Sequence, residues 1–297
     1  MSNVVPLGGR GLTLTPETVT SSALDQAAEF WERLAKVGPT KVNLGFPRWE
    51  HLTDPRPYQY VVLAARPGMY KTTVAWTWAL NLAMSGKRVL WVGLDMPASD
   101  MAGWALARLT GIPSRRLMEA GRGILSLTSS EQLTLADSER RLGTLPLVMW
   151  RRSSIDLKSL WQAATRVPYD AVFLDYVQQV QSPGLNESDR VANTSKAIRQ
   201  MVTDHPLYFV ALAQMNREIE RPPNGKPRLP ALADLKGSSQ LEADPDAVAF
   251  MYRPDFGPHQ DRSKVQMVIR KNRGGPPDGA IELQAYPETR FIEETLT

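Results

Sequence analysis

Five short runs of apolar, β-favouring residues recur along this chain with helical patterns between them, and that alternation restricts the fold more than any other feature. The runs fall at 60–64, 88–92, 147–150, 171–175 and 208–212. Near-continuous apolar strands of this kind belong in a parallel sheet covered by helices on both faces. The order strand, helix, strand therefore predicts a wound α/β domain. Later runs at 247–252, 265–269 and 280–283 are more closely spaced, and are expected to finish the sheet as antiparallel hairpins.

With 297 residues, 42% of them hydrophobic, the chain can bury one sizeable core, and a second full domain would be a squeeze. It has no cysteine, which excludes disulfides and thiolate metal sites, and His51, His205 and His259 are too scattered for a zinc site. No apolar run approaches a membrane span, and Met1-Ser2-Asn3-Val4-Val5-Pro6 lacks the basic and apolar segments of a signal peptide. A soluble, cytoplasmic protein without a membrane partner is the expectation. The formal charge of +4 and pI near 9.3 permit a polyanionic partner without requiring one.

Residues 1 to about 20 are rich in Gly, Thr and Pro, after which Leu24, Ala27, Ala28, Trp31, Leu34 and Ala35 fall at helical spacing. Ser22 with Asp25 resembles a capping arrangement and Gly38-Pro39 supplies a stop, so an amphipathic helix is predicted over 22–37. It either packs on its own domain or docks its apolar face on a neighbouring subunit as a connecting arm.

Directly after the first strand comes Ala65-Arg66-Pro67-Gly68-Met69-Tyr70-Lys71-Thr72-Thr73, followed by a helical pattern from about Thr73. Strand, tight loop, Lys-Thr and helix is the context a phosphate-binding loop needs, because backbone N–H groups and the helix N-terminus must converge on the phosphates. Arg66 to Thr73 are thus candidate ATP-binding residues, with Lys71 reaching the β- and γ-phosphates and Thr72 holding Mg²⁺. The general pattern has glycine where Ala65 and Tyr70 stand. Asp175 closes the apolar strand Phe173-Leu174-Asp175, where a second carboxylate is needed for hydrated Mg²⁺. Gln214 closes the next strand and can sense the γ-phosphate and pass its state to the following loop, while Asp95 ends the second strand and can orient or deprotonate the attacking water.

Seven segments in order resemble the DnaB family of hexameric replicative helicases. They are Asn43-Leu44-Gly45-Phe46-Pro47, the phosphate loop itself, Leu94-Asp95-Met96-Pro97, Leu174-Asp175-Tyr176-Val177-Gln178, Ala213-Gln214-Met215-Asn216-Arg217, the stretch from Asp234-Leu235-Lys236-Gly237-Ser238 to Asp244, and Lys271-Asn272-Arg273-Gly274-Gly275-Pro276. The resemblance implies a RecA-like P-loop ATPase core in 43–297, preceded over 1–42 by a tail and a linker helix, in a bacterial or phage-infected cell. It also implies a hexameric ring moving on single-stranded DNA, with Lys271 and Arg273 projecting into the neighbour's phosphate site as charge-stabilising fingers. Pore-facing loops would carry the DNA contacts. The candidates lie in 182–189 and in 217–236, with Arg221, Arg228 and Lys236 the leading cations. The family's N-terminal, primase-binding domain is expected to be absent, which leaves a primase or loader as an open partner.

Two residues depart from the family pattern. Tyr70 replaces a glycine whose backbone must approach phosphates, at a cost of about 1–3 kcal/mol. Gly68, where the family has serine, is expected to compensate by moving the flexible residue upstream. Asp95 is one methylene shorter than the family's glutamate, enough to misplace a water by about 1 Å. An ATPase-impaired ring protein serving as scaffold, loader or inhibitor is therefore the alternative to a running helicase. A RecA-type recombinase is disfavoured by the Lys-x-Arg hairpin.

Overall fold

The computed structural model describes Glu32 and residues 41–215, 228–237, 239–253, 261, 263–277 and 279–295. The chain divides into two compact units, Met1–Thr40 and Lys41–Thr297. Of the first only Glu32, in a helix, is described, so the helix expected over 22–37 otherwise lies outside the described residues.

The second unit opens with α1 (Pro47–Thr53), β1 (Gln59–Ala65), α2 (Lys71–Met84), β2 (Val89–Gly93), α3 (Ala98–Thr110), α4 (Ser114–Gly121), α5 (Ser129–Thr144) and β3 (Leu147–Arg151). It continues through β4 (Ile155–Asp156), α6 (Leu157–Thr165), β5 (Ala171–Asp175), β6 (Val180–Gln181), α7 (Glu187–Asp204), β7 (Tyr208–Gln214) and the short α8 (Gln240–Ala243). The strands β8 (Ala247–Tyr252), β9 (Lys264–Asn272), β10 (Gly279–Tyr286) and β11 (Phe291–Glu294) close it.

Nine strands form one sheet in the order β11-β10-β9-β8-β1-β7-β5-β2-β3. From β8 to β3 the pairing is parallel, whereas β8 to β11 pair antiparallel, as the close spacing of the last apolar runs predicts. In β1, Val61, Leu63 and Ala65 face one apolar layer, and Tyr60, Val62 and Ala64 face the other. A two-residue side-chain period with both faces covered is why this strand reads as an unbroken apolar run. Helix α2 is apolar nearly all round and correspondingly buried. Its Trp76 meets Trp91 edge-on at 5.0 Å, and Trp91 stacks on Phe173 at 5.8 Å.

Three details differ from the sequence reading. β3 is the sheet's edge, and Val148 is exposed, so this apolar run is not a doubly covered strand; the Arg152 guanidinium sits 5.3 Å over the ring of Trp150 instead. Helix α2 begins at Lys71, two residues before the expected start. β11 and the small parallel pair β4–β6 had no clear signal, because Phe291-Ile292-Glu293-Glu294 mixes apolar and charged residues. Glu294 nonetheless has a structural task. Its carboxylate accepts the backbone N–H groups of Arg48 (2.7 Å) and Trp49 (2.9 Å) at the start of α1. Beside it, Glu50 accepts those of Leu44 (2.7 Å) and Gly45 (2.8 Å), so the segment Asn43 to Pro47 fastens the start of the domain.

Candidate nucleotide-binding site

A cavity of about 440 Å³ opens at the carboxyl ends of the central parallel strands, the usual place for a ligand in such a sheet and within the usual size range for one. Its wall contains every predicted loop residue from Arg66 to Thr73, together with Asp95 and Gln214. Register explains the convergence: Ala65, the last residue of β1, pairs with Gln214, and Gly93, two residues before Asp95, pairs with Asp175.

Asp175 lies under the loop and is 3% exposed. The Thr72 hydroxyl donates to Asp175 Oδ2 at 2.8 Å, and Lys71 Nζ lies 3.5 Å from Oδ1 and 5.0 Å from the ring centre of Tyr176. Burial holds the Lys71 ammonium below its ordinary range, offset in part by Asp175. Burial pushes the Asp175 carboxyl up, offset in part by Lys71 and Thr72. A hydroxyl and a carboxylate this close are hard oxygen donors, which suits Mg²⁺, an ion that keeps several waters and takes few protein ligands. Among the described residues no cluster of three or more His, Cys, Asp or Glu competes as a metal cage.

Tyr70 sits at φ 60°, ψ 16° and Gly68 at φ 75°. The expectation that Gly68 relieves Tyr70 is therefore corrected: both residues occupy the left-handed region, and position 70 keeps a glycine-like backbone while carrying a tyrosine. The Tyr70 side chain packs against the apolar layer beneath α2, a contact that offsets the strain. As N-cap of α2 it supplies no side-chain cap, which leaves the helix N-terminus free to face an anion.

No sequence signal pointed to three further wall residues: Trp104 on α3, and Pro287 and Arg290 in the turn between β10 and β11. Arg290 stands at φ 55° with its guanidinium 5.1 Å over the Trp104 ring, and its Nε donates to Ser114 Oγ at 3.4 Å. Only the sheet topology, which returns β10 to the carboxyl edge, brings this turn to the cavity.

Lys271 and Arg273 lie elsewhere. β9 runs antiparallel to β8, so its C-terminal end reaches the edge of the sheet opposite the cavity. There Lys271 Nζ donates to the Glu242 and Ala243 carbonyls at 2.6 Å each. The Arg273 guanidinium donates to the Ala243 carbonyl at 2.7 Å and lies 3.6 Å from Asp246. The seven-residue β1 separates the two edges by about 23 Å, so these cations do not reach the chain's own cavity.

Of the DNA-contact candidates, Arg221 lies outside the described residues. Arg228 forks onto the buried carboxylate of Asp234, with its Nη1 2.8 Å from Oδ2. Lys236 is partly exposed and pairs with Glu187 at 2.9 Å.

Sheet order, phosphate loop and strand-end carboxylate together define a RecA-like ATPase fold. The sequence profile of the family described as "DnaB-like helicase C terminal domain" matches residues 42–293, and this chain belongs to that family. A probable plasmid replicative DNA helicase of Chlamydia trachomatis is 30% identical over 222 residues, which cover 73% of this chain and 46% of the relative. The replicative DNA helicase DnaB of Pasteurella multocida is 28% identical over 251 residues, 80% of this chain and 52% of the relative. The chain thus spans about half the length of the curated relatives it matches. In fold it resembles a solved DnaB-like replicative helicase, with a TM-score of 0.77 at 22% identity over 93% of this chain and 67% of that one. No helix among the described residues is long and apolar enough to cross a membrane.

Proposed function

We propose that this chain is the ATP-driven motor of a ring-forming replicative DNA helicase, one that moves along single-stranded DNA to separate a duplex. The observation that carries the reading is the convergence of Lys71, Thr72 and Asp175 beside a cavity whose wall also bears Asp95 and Gln214. Lys71 and the free N-terminus of α2 bind the phosphates. Thr72 and Asp175 would hold Mg²⁺, which when bound neutralises charge on the phosphate oxygens. Asp95 orients the attacking water and accepts its proton. Gln214 contacts the γ-phosphate edge.

The distance between the two sheet edges supports the finger role in trans. Lys271 and Arg273 can stabilise γ-phosphate charge only on another copy, so hydrolysis depends on assembly, and a hexameric ring is the closed arrangement that matches the family. On the DNA side Lys236 is the leading contact. Arg228 instead holds its loop in shape through Asp234, and Arg221 completes the basic segment. Such contacts track phosphates without reading bases.

Turnover of ATP by the full chain, with and without single-stranded DNA and beside a Lys71→Ala control, tests the reading. DNA-stimulated hydrolysis that vanishes in the control is expected; rates at background in all three arms would sink it. Background hydrolysis with intact ring assembly and nucleotide binding would favour the second reading, an ATPase-impaired ring protein acting as scaffold, loader or inhibitor. The strained tyrosine at position 70 and the short Asp95 are its support.

A further inference from the structure

The carboxamide of Gln178 ties three segments together in a way the proposed chemistry does not use. Gln178 lies three residues beyond Asp175, in the 3₁₀ turn Val177–Gln179 that follows β5. Its Oε1 accepts the backbone N–H of Gln214 at 3.2 Å, and its Nε2 donates back to the Gln214 carbonyl at 3.3 Å. The same Nε2 donates to the carbonyl of Lys236 at 3.0 Å. Lys236 closes the figure, its own N–H donating to the Gln214 carbonyl at 3.1 Å, beside an antiparallel bridge between Met215 and Leu235.

One side chain thus imitates a strand. It makes a two-point pair with the peptide groups of Gln214 and uses its remaining N–H to hold the backbone of Lys236. Only a carboxamide offers two donors and an acceptor in one plane at this length. A methionine of similar length makes none of these bonds. A glutamate keeps the acceptor for the Gln214 N–H but sets a carboxylate against two carbonyl oxygens. Because a hydrogen bond tolerates displacements of only a few tenths of an ångström, a shift of Gln214 at the cavity wall carries both Gln178 and Lys236 with it. The Lys236 ammonium reports that shift at the surface, where it is paired with Glu187.

We infer that Gln178 is a positioning residue that couples nucleotide occupancy at Gln214 to the single-stranded-DNA contact at Lys236. The inference rests on the function proposed above and adds the physical link between its two sites. A Gln178 that served structure alone would be needed for folding; a Gln178 that couples the two sites is needed for communication between them.

The test measures the affinity of the full chain for a fluorescent oligo-dT strand, with and without Mg²⁺ and ATPγS, in the natural chain and in Gln178→Met and Gln178→Glu. Nucleotide affinity and thermal midpoint are followed in parallel. In the natural chain ATPγS is expected to change DNA affinity by at least about fivefold, the lower end of typical site-to-site coupling. In both variants that factor should collapse toward one, while nucleotide affinity without DNA stays within about twofold of the natural chain, since no phosphate contact is lost. Variants that keep the natural coupling factor, or that lose nucleotide binding along with it, overturn the role of Gln178 alone. A natural chain in which nucleotide leaves DNA affinity unchanged overturns the functional reading as well. Should one variant fail to fold, the other decides.

Discussion

Replacing Tyr70 with glycine tests whether the left-handed backbone at that position resists nucleotide binding. The backbone at Tyr70 is left-handed, φ 60° and ψ 16°. A Cβ in that region costs about 1–2 kcal/mol, which Tyr70→Gly relieves in the folded state. Glycine also gives the unfolded chain more freedom, worth about 0.5–1 kcal/mol in the opposite direction. Those two effects leave glycine ahead by about 1.5 kcal/mol at most, and losing the Tyr70 contact with the apolar layer subtracts from it, so the melting temperature should rise by no more than roughly 3–6 °C for a domain of this size. Strain present in both free and bound states cancels, so the dissociation constant for Mg²⁺-ATP should move by less than about threefold, or roughly 0.7 kcal/mol. Titration with a fluorescent ATP analogue, with calorimetry as a second readout, measures this directly. A gain of about thirtyfold, near 2 kcal/mol, would overturn this expectation. It would mean that the nucleotide forces Tyr70 out of the conformation seen here, and that the loop is crippled rather than rebuilt. The β-branched Tyr70→Val is the complementary probe, expected to lower the melting temperature because valine tolerates the left-handed region worst.

The remaining predictions concern assembly and pH. Mixing equal amounts of Lys71→Ala and Arg273→Ala chains should restore about one quarter of natural turnover, since a quarter of random head-to-tail contacts join an intact loop to an intact finger; a mixture no more active than either variant alone would show that Arg273 does not act in trans. Glu131 at the start of α5 forms a bidentate pair with Arg116 and accepts the Thr128 N–H, which together hold its carboxyl down to about 2. A depressed carboxyl stabilises the fold above its unfolded pKa, about 4.5, and that contribution is lost as pH falls from there toward 2. Hydrogen exchange of α5 between pH 5 and 2 should show the loss, and Glu131→Gln should flatten it.

How much of this was legible in the sequence follows from how local each signal is. β1 and the loop after it could be read because an apolar run, a loop and Lys71-Thr72 lie contiguous in the chain, and Asp175 because it ends an unbroken apolar strand. Pro287 and Arg290 could not, since a turn 220 or so residues beyond the loop reaches the cavity only through the return of β10, and Trp104, inside the helical pattern of α3, carries no local sign that it meets the cavity. The edge position of β3 was equally hidden: an apolar run states that a strand forms, and pairing alone decides whether both its faces are covered. At Tyr70 the sequence named the anomaly, and Gly68 does take a left-handed backbone, but it does not relieve position 70, which keeps its own. Backbone geometry at one position follows from the loop's closure and not from the nearest glycine.

The C-terminal ribbon carries a consequence for stoichiometry. β10 is eight residues long, about 26 Å from end to end. One end meets the chain's own cavity through Pro287 and Arg290, and the other turns at the hairpin bearing Lys271 and Arg273. On the proposed role in trans, a surface that gives at one edge and receives at the other has a direction. Two copies related by a two-fold axis do not satisfy it at both ends, whereas a closed cycle does, and an open stack leaves one receiver unserved. Catalytic output should therefore climb steeply with protein concentration and level off once cycles close. The isolated chain is expected to stay quiet even at saturating ATP, and full turnover at the lowest protein concentration would count against the proposed role in trans.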